Sequence, residues 1–213
     1  AVFYPRDKSS FFSKGTLTAG YTASDRTRLS GGVELSRDQA RLADTTPPAW
    51  YFKGGKKSVE YDNAAFFMEG VSEYPAGLFS AGARYDKNEG FDPAFSPRLA
   101  WTKVFERLHL KAIYSRAFRA PGIDNLDANP DLKPEKTTVV EFETGYKFTD
   151  SLFLSANFYA MRITDPIVFT TTGTQSYRNF GPTGTNGVEF TARVKEEWGY
   201  CDLSYSYYAA PHN

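Results

Sequence analysis

Residues 114–148 read YSRAFRAPGIDNLDANPDLKPEKTTVVEFETGYKF, and this stretch decides the fold. Its middle carries Pro121, Pro130 and Pro134. Each removes a backbone donor and fixes φ, so no central strand or helix is expected to cross residues 118–135. From Thr138 onward the character changes. Thr138, Val140, Phe142, Thr144, Tyr146 and Phe148 fall on one parity and Thr137, Glu141, Glu143 and Lys147 on the other, with only Val139 and Gly145 blurring the polar side. A period of two defines a strand with one apolar and one polar face.

The same alternation recurs on both sides of this stretch. Before it, strands are predicted over residues 15–24, 28–36, 58–71, 78–85, 95–105 and 108–117. The parity of the third is ambiguous because Phe66 and Phe67 are adjacent. After it come strands over residues 152–159, 177–195 and 200–208, the second of them bulged at Gly181-Pro182-Thr183-Gly184. The reading is all-β, about ten antiparallel strands with no helix. The connections near residues 25, 74, 106, 150 and 197 are short. The alternate ones, residues 37–57, 86–94, 118–137 and 164–176, are long and rich in Gly, Pro and charge, and the first holds Trp50, Tyr51 and Phe52.

Composition narrows the class. The net charge is zero over 213 residues, so bulk electrostatics predict no nucleic-acid partner. The longest uninterrupted apolar run, residues 64–68, is far short of the roughly 18 residues a membrane helix needs. A mean hydropathy of −0.48 does not separate a soluble protein from a barrel whose strands alternate faces. Aromatics at 16%, with 14 Tyr, suit many strands and interfacial rings. Cys201 is the single cysteine, which excludes an internal disulfide. Ala1-Val2-Phe3-Tyr4-Pro5 lacks the charged start and apolar core of a signal peptide, and residues 209–213 read as the opening of a loop, so a piece of a longer protein is expected.

The opening stretch resembles a known family. Tyr114-Ser115-Arg116-Ala117-Phe118-Arg119-Ala120-Pro121, then Asn129-Pro130-Asp131-Leu132-Lys133-Pro134-Glu135 and a strand near Glu141, is similar to the central barrel signature of TonB-dependent outer-membrane receptors. The likeness continues in order through Phe158-Tyr159, Thr164-Asp165-Pro166-Ile167, Tyr177-Arg178-Asn179-Phe180-Gly181 and Gly187-Val188-Glu189-Phe190. The resemblance implies a partial transmembrane β-barrel, about ten of 22 strands, in the outer membrane of a Gram-negative bacterium, with the plug domain and C-terminal strands outside this sequence. It implies uptake of a scarce solute such as an iron-siderophore chelate. The implied partners are the TonB complex, reached through the plug segment, and outer-membrane lipid and lipopolysaccharide. Haem fits less well, because receptors of the haem branch carry a histidine between the two signature boxes and residues 122–128 hold none.

Short turns at one end and long loops at the other suit such a barrel, with the turns periplasmic. Strands of roughly nine to eleven residues suit a tilted crossing of the hydrocarbon. Tyr85, Tyr114, Tyr146 and Tyr207 sit on the apolar parity near expected strand ends, where an aromatic girdle is placed. Arg116, one step beyond Tyr114, is expected to point outward toward lipid phosphates.

Catalytic and metal signatures are lacking, and neither an enzyme nor a cofactor is expected. His109 and His212 have no ligand spacing, and no serine sits in Gly-x-Ser-x-Gly. Glu141 and Glu143 share one strand face and read as solvated lumen residues rather than an acid/base pair. Candidate ligand contacts are Arg119, Asp124 and Asp127 in the signature loop and Tyr177, Arg178 and Asn179 beyond it. Phe118, Arg119, Ala120, Pro121, Asn129, Pro130, Leu132, Pro134 and Glu135 form the family signature and read as scaffold holding loop and strand register. Two alternatives stay open: a small self-contained outer-membrane barrel, protease-like or adhesin, with His212 the residue a protease would need, and a soluble β-sandwich binding module.

Overall fold

The structure, a computed structural model, describes residues 7–48, 51–171 and 176–210. Trp50, His212 and the first five residues lie outside these. Ten strands form one antiparallel sheet in which sequence neighbours pair: β1 (Lys8–Ser24), β2 (Thr27–Leu42), β3 (Ser58–Tyr74), β4 (Gly77–Asn88), β5 (Ala94–Val104), β6 (Leu108–Arg119), β7 (Glu135–Lys147) and β8 (Leu152–Thr164), then β11 (Thr183–Glu196) and β12 (Gly199–Ala209). A separate two-stranded hairpin, β9 (Ile167–Thr170) and β10 (Ser176–Asn179), stands between β8 and β11. A single short helix, α1 (Ile123–Ala128), lies between β6 and β7. The sheet is an open wall whose edges are β1 and β12.

Register aligns the apolar parity across the whole wall. Leu17, Val33, Phe66, Tyr85 and Phe95 are successive cross-strand partners and all are exposed. A second row of successive partners starts nearer the short turns at Phe79 and Trp101 and runs through Ala112, Phe142, Phe158 and Val188 to Tyr207. These rows settle the parity of β3: Phe66 and Met68 join the exposed apolar face and Phe67 the polar one. The opposite face carries pairs such as Lys111 with Glu143, Glu143 with Asn157 and Asn157 with Glu189. Alternation therefore produces one solvent-shunning surface with no layer packed over it among the described residues.

The short turns are locally specified. Ser24 accepts from the Arg26 amide, and Thr149 Oγ1 accepts from the amides of Ser151 and Leu152. Gly77 has φ of 131°, and a Cβ there would lie 2.6 Å from the Thr102 carbonyl and 2.7 Å from Trp101 Nε1, so only glycine fits beneath that indole. Trp101 Nε1 in turn donates to the Ala76 carbonyl at 3.0 Å.

Three expectations are corrected. Eight of the ten sheet strands are longer than nine to eleven residues, reaching 17 in β1 and β3, while β5 and β12 have 11. Ladder pairing continues past the apolar belt, where both faces meet water and alternation is no longer required. The proline-rich loop does hold a helix: Pro121 precedes it and Pro130 follows it, so neither breaks its hydrogen bonds. The expected strand over residues 177–195 is two elements. Pro182 lacks an amide, the Phe180 amide closes on the Pro166 carbonyl at 3.0 Å, and residues 176–179 pair with residues 167–170 instead of joining the sheet. The longer strands also move Tyr85 and Tyr114 away from strand ends. At the turn end the exposed rings include Tyr74, Phe79, Phe105, Tyr146, Phe148, Trp198 and Tyr200.

Candidate functional site

All long connections gather at one end of the wall, where the signature loop is the organiser. Residue Gly122 caps α1, and Asn125 Oδ1 accepts the Gly122 amide at 2.8 Å. The helix is too short to persist alone. It is held by burying Ile123 and Leu126, and Ile123 joins Ala40, Leu42 and Phe52, with Tyr51, Val59 and Tyr61 packed around them. A loop between β6 and β7 is thereby fastened to the loop between β2 and β3. Asp124 pairs with Lys8, and Asp127 Oδ1 accepts the Lys53 amide. These two candidate carboxylates engage the start of β1 and the loop after β2 of the same chain.

The second half of the loop holds the β9–β10 hairpin. Asn129 Nδ2 donates to the Tyr177 carbonyl at 2.9 Å. Asn179 Oδ1 accepts the Lys133 amide at 2.8 Å, while its Nδ2 donates to the carbonyls of Lys133 and Asp165 at 3.0 and 2.7 Å. Asp165 takes φ of 54°, a conformation Asp tolerates better than most residues, and this directs the chain out of β8 into the hairpin. Leu132 and Pro134 are buried beneath. Tyr177 stacks edge-on against Phe169 at 5.2 Å, and Arg178, on the other face of the hairpin, is exposed.

Arg119 and Glu135 join the two halves. Arg119 Nη2 donates to Glu135 Oε2 at 2.8 Å, and the same oxygen accepts the Ile167 amide at 3.2 Å. Glu135 stands at the loop end of β7, several residues beyond the belt that begins near Val140. Burial raises its carboxyl, but the Arg119 guanidinium and the Ile167 amide outweigh that and hold it below the ordinary glutamate range. A depressed folded value stabilises the junction fully above the unfolded glutamate pKa and is lost as pH falls through the folded one. Protection of the Ile167 amide from hydrogen exchange is therefore expected to drop on acidification below that range. In Glu135→Gln the pH dependence should vanish, and an unchanged pH profile in that variant would refute the assignment.

Below the loop lies a cavity of about 190 Å³ lined by the rings of Phe12, Tyr61, Phe91 and Phe118 and by Asp38, Asn63 and Asp86, among others. Asp86 is only 2% exposed and is held by Arg84, whose Nε and Nη2 each reach a carboxylate oxygen at 2.8 Å. Arg84 Nη2 also reaches Glu34 at 2.8 Å, and Lys14 approaches Glu34 at 3.4 Å. Sequence reading missed Phe12, Phe91 and this ionic chain. Phe91 lies in a connection without periodicity, and charges from three strands converge only once register is known. Elsewhere on the polar face His109 and Lys111 each lie 3.6 Å from Glu143, which gives that glutamate a structural role. Of the candidate contacts, Arg119, 63% exposed on its side chain, and Arg178 present guanidinium groups to solvent at the loop end.

A wall of ten antiparallel strands, apolar outside, polar inside, with tight turns at one end and folded loops at the other, is a segment of a β-barrel. Residues 3–212 match the family model described as TonB dependent receptor-like, beta-barrel, and the chain belongs to that family. Among solved structures it is similar to the siderophore receptor PirA from Pseudomonas aeruginosa, with a TM-score of 0.79 and 18% identity over 95% of this chain and 43% of that one. The ferric enterobactin receptor PfeA from Pseudomonas aeruginosa, in complex with enterobactin, gives 0.75 and 19% over 94% and 36%. The FrpB iron transporter from Neisseria meningitidis gives 0.73 and 11% over 95% and 37%. The chain thus spans less than half the length of each of these proteins. No curated protein matches the sequence.

Proposed function

We propose that this chain forms part of the wall and the loop-end vestibule of an outer-membrane receptor in a Gram-negative bacterium. The receptor takes up a scarce solute of the ferric-siderophore class and is driven by the TonB complex through a plug segment outside these residues. In this reading the protein binds and transports and is not an enzyme. The observation that carries it is the pairing of an exposed apolar belt with structured loops at one end: Phe66, Phe142, Phe158 and Phe190 face outward, while α1 packs on Ala40 and Leu42 of the other face and the β9–β10 hairpin stands at the same end. The structural relatives named for siderophores and iron support the solute class.

Anionic iron chelates meet Arg119 and Arg178 first. Titration of the purified full-length protein in detergent with ferric catecholate and ferric hydroxamate chelates, read by aromatic fluorescence, is expected to show saturable quenching by one class. Combined Arg119→Ala and Arg178→Ala substitution is expected to weaken it about tenfold, the scale of one charge-assisted hydrogen bond. A protein that sediments as a detergent-free monomer and quenches with neither chelate would overturn the reading in favour of a soluble module.

A further inference from the structure

We infer that the ring-lined cavity below the signature loop takes an organic ammonium group, so that the solute is an iron chelate with oxygen acceptors at its head and one ammonium-ended arm. This deepens the receptor reading above and rests on it. Phe12, Asp38 and Tyr61 are successive cross-strand partners on β1, β2 and β3, which sets one carboxylate between two rings. Phe91 and Phe118 add two more rings, 6.4 Å apart and tilted at 51°. Gly90 is what lets Phe91 in. A Cβ there would stand 2.8 Å from the Tyr61 ring and 2.9 Å from Leu126, so a bare backbone carries the loop after β4 against them.

One negative charge is left over here. Lys14 and Arg84 are the cations of the ionic chain, and Glu34 and Asp86 occupy both of them. Lys8 is taken by Asp124, and Arg37 by Asp62 in a bidentate pair at 2.7 Å. Asp38 lines the cavity, is exposed, and has no cationic partner among the described residues. Asn63 gives its amide nitrogen to Asp86 at 3.3 Å, which leaves its oxygen as a second acceptor. Burial, with the charge of Asp127 added, holds the Tyr61 hydroxyl above the ordinary tyrosine range, so that ring stays neutral beside the carboxylates.

An unpaired carboxylate among rings selects its partner. The faces of Phe and Tyr carry negative potential and attract an ammonium, and Asp38 offers its N–H groups a charged acceptor. A hard metal ion gains nothing from Phe12, Phe91, Phe118, Ile123 or Leu126, which an alkyl arm covers. The volume of about 190 Å³ holds about six water-sized groups, enough for an ammonium on a short alkyl arm and too little for a whole chelate. Phe118, Ala120 and Pro121 all line the cavity, so the arm emerges beside the strand end that carries Arg119.

Titration of the full-length protein in detergent with a linear ferric trihydroxamate ending in an ammonium, and with the same chelate N-acetylated, tests the pocket by aromatic fluorescence. The two probes differ in one charge. The wild type is expected to bind the ammonium form about tenfold more tightly, the scale of one charge-assisted hydrogen bond with its cation–π contacts. Asp38→Asn is expected to erase that preference by weakening the ammonium form alone, and Phe12→Leu to reduce it about threefold. Asp38 is exposed and Phe12 is 62% exposed, so both variants are expected to fold. Equal binding of the two forms by the wild type, or an unchanged preference in Asp38→Asn, would overturn the pocket while leaving the receptor reading intact. Binding of neither form would overturn the ammonium-armed solute, and the ferric catecholates then separate the two readings: if they bind, the receptor reading stands, and if they do not, it falls as well.

Discussion

Phe142→Arg is expected to destabilise the bilayer-folded protein by about 2–4 kcal/mol, the range for a cation at the midplane of a barrel's outer surface. Phe142 is the residue for this test because it lies midway along the belt. Val140 and Thr138 lie toward the loops, and Tyr146 and Phe148 lie toward the aromatic ring at the turns. It is 42% exposed, and its cross-strand partners on the same row, Ala112 and Phe158, offer no polar atom on their side chains. An arginine there meets no carboxylate, because Glu141 and Glu143 point to the other face. Urea unfolding from lipid vesicles, followed by tryptophan emission, measures the loss. Thr191→Arg on the polar face is the control, expected to cost less than about 1 kcal/mol because its side chain stays in water. Equal costs for the two substitutions would mean that both faces see the same solvent, which only a soluble sheet allows.

What the sequence revealed follows from where the physics is local. Turns are set by their own residues and the belt by a two-residue period, so the ten-strand meander, the sorted connections and the outward position of Arg116 could all be read in advance. Strand ends could not. Residues 8–13 and 37–42 pair beyond the belt, where no alternation marks them, and only the register with a neighbour reveals the strand. The helix at residues 123–128 is held by burying Ile123 and Leu126, and Ile123 packs with Leu42 at the end of β2 and Phe52 in the loop after it, partners far earlier in the chain.

The loop-end chemistry was legible as residue types but not as roles. Asn179 was read as a ligand contact by position, yet its whole amide is engaged with Lys133 and Asp165 backbone. Asp124 and Asp127 likewise bind Lys8 and the Lys53 amide. These contacts join segments far apart in sequence, and no periodicity encodes them. Asn129 and Glu135, read as scaffold, each bridge the loop to the hairpin. The loop end is therefore held together by a few hydrogen bonds and ion pairs between distant segments, with the Lys14–Glu34–Arg84–Asp86 ionic chain below it.

Arg84→Met is accordingly expected to cost about 3–5 kcal/mol, the scale for removing one partner of a buried ion pair. Asp86 is among the most deeply buried polar groups of the described residues, and Arg84 supplies two of its hydrogen bonds, leaving only the Asn63 amide at 3.3 Å. Without the guanidinium the carboxylate keeps its burial and loses its counter-charge, and Glu34 is left to Lys14. Adding Asp86→Leu to Arg84→Met removes the stranded charge, and the double variant is expected to recover to within about 1 kcal/mol of wild type, since an apolar replacement of both partners is often neutral. Unfolding of the wild type, Arg84→Met, Asp86→Leu and the double variant side by side gives the coupling directly. A double variant as unstable as the single one would mean that Arg84 acts through Glu34 or through packing instead. Recovery would identify Asp86 as the group Arg84 serves.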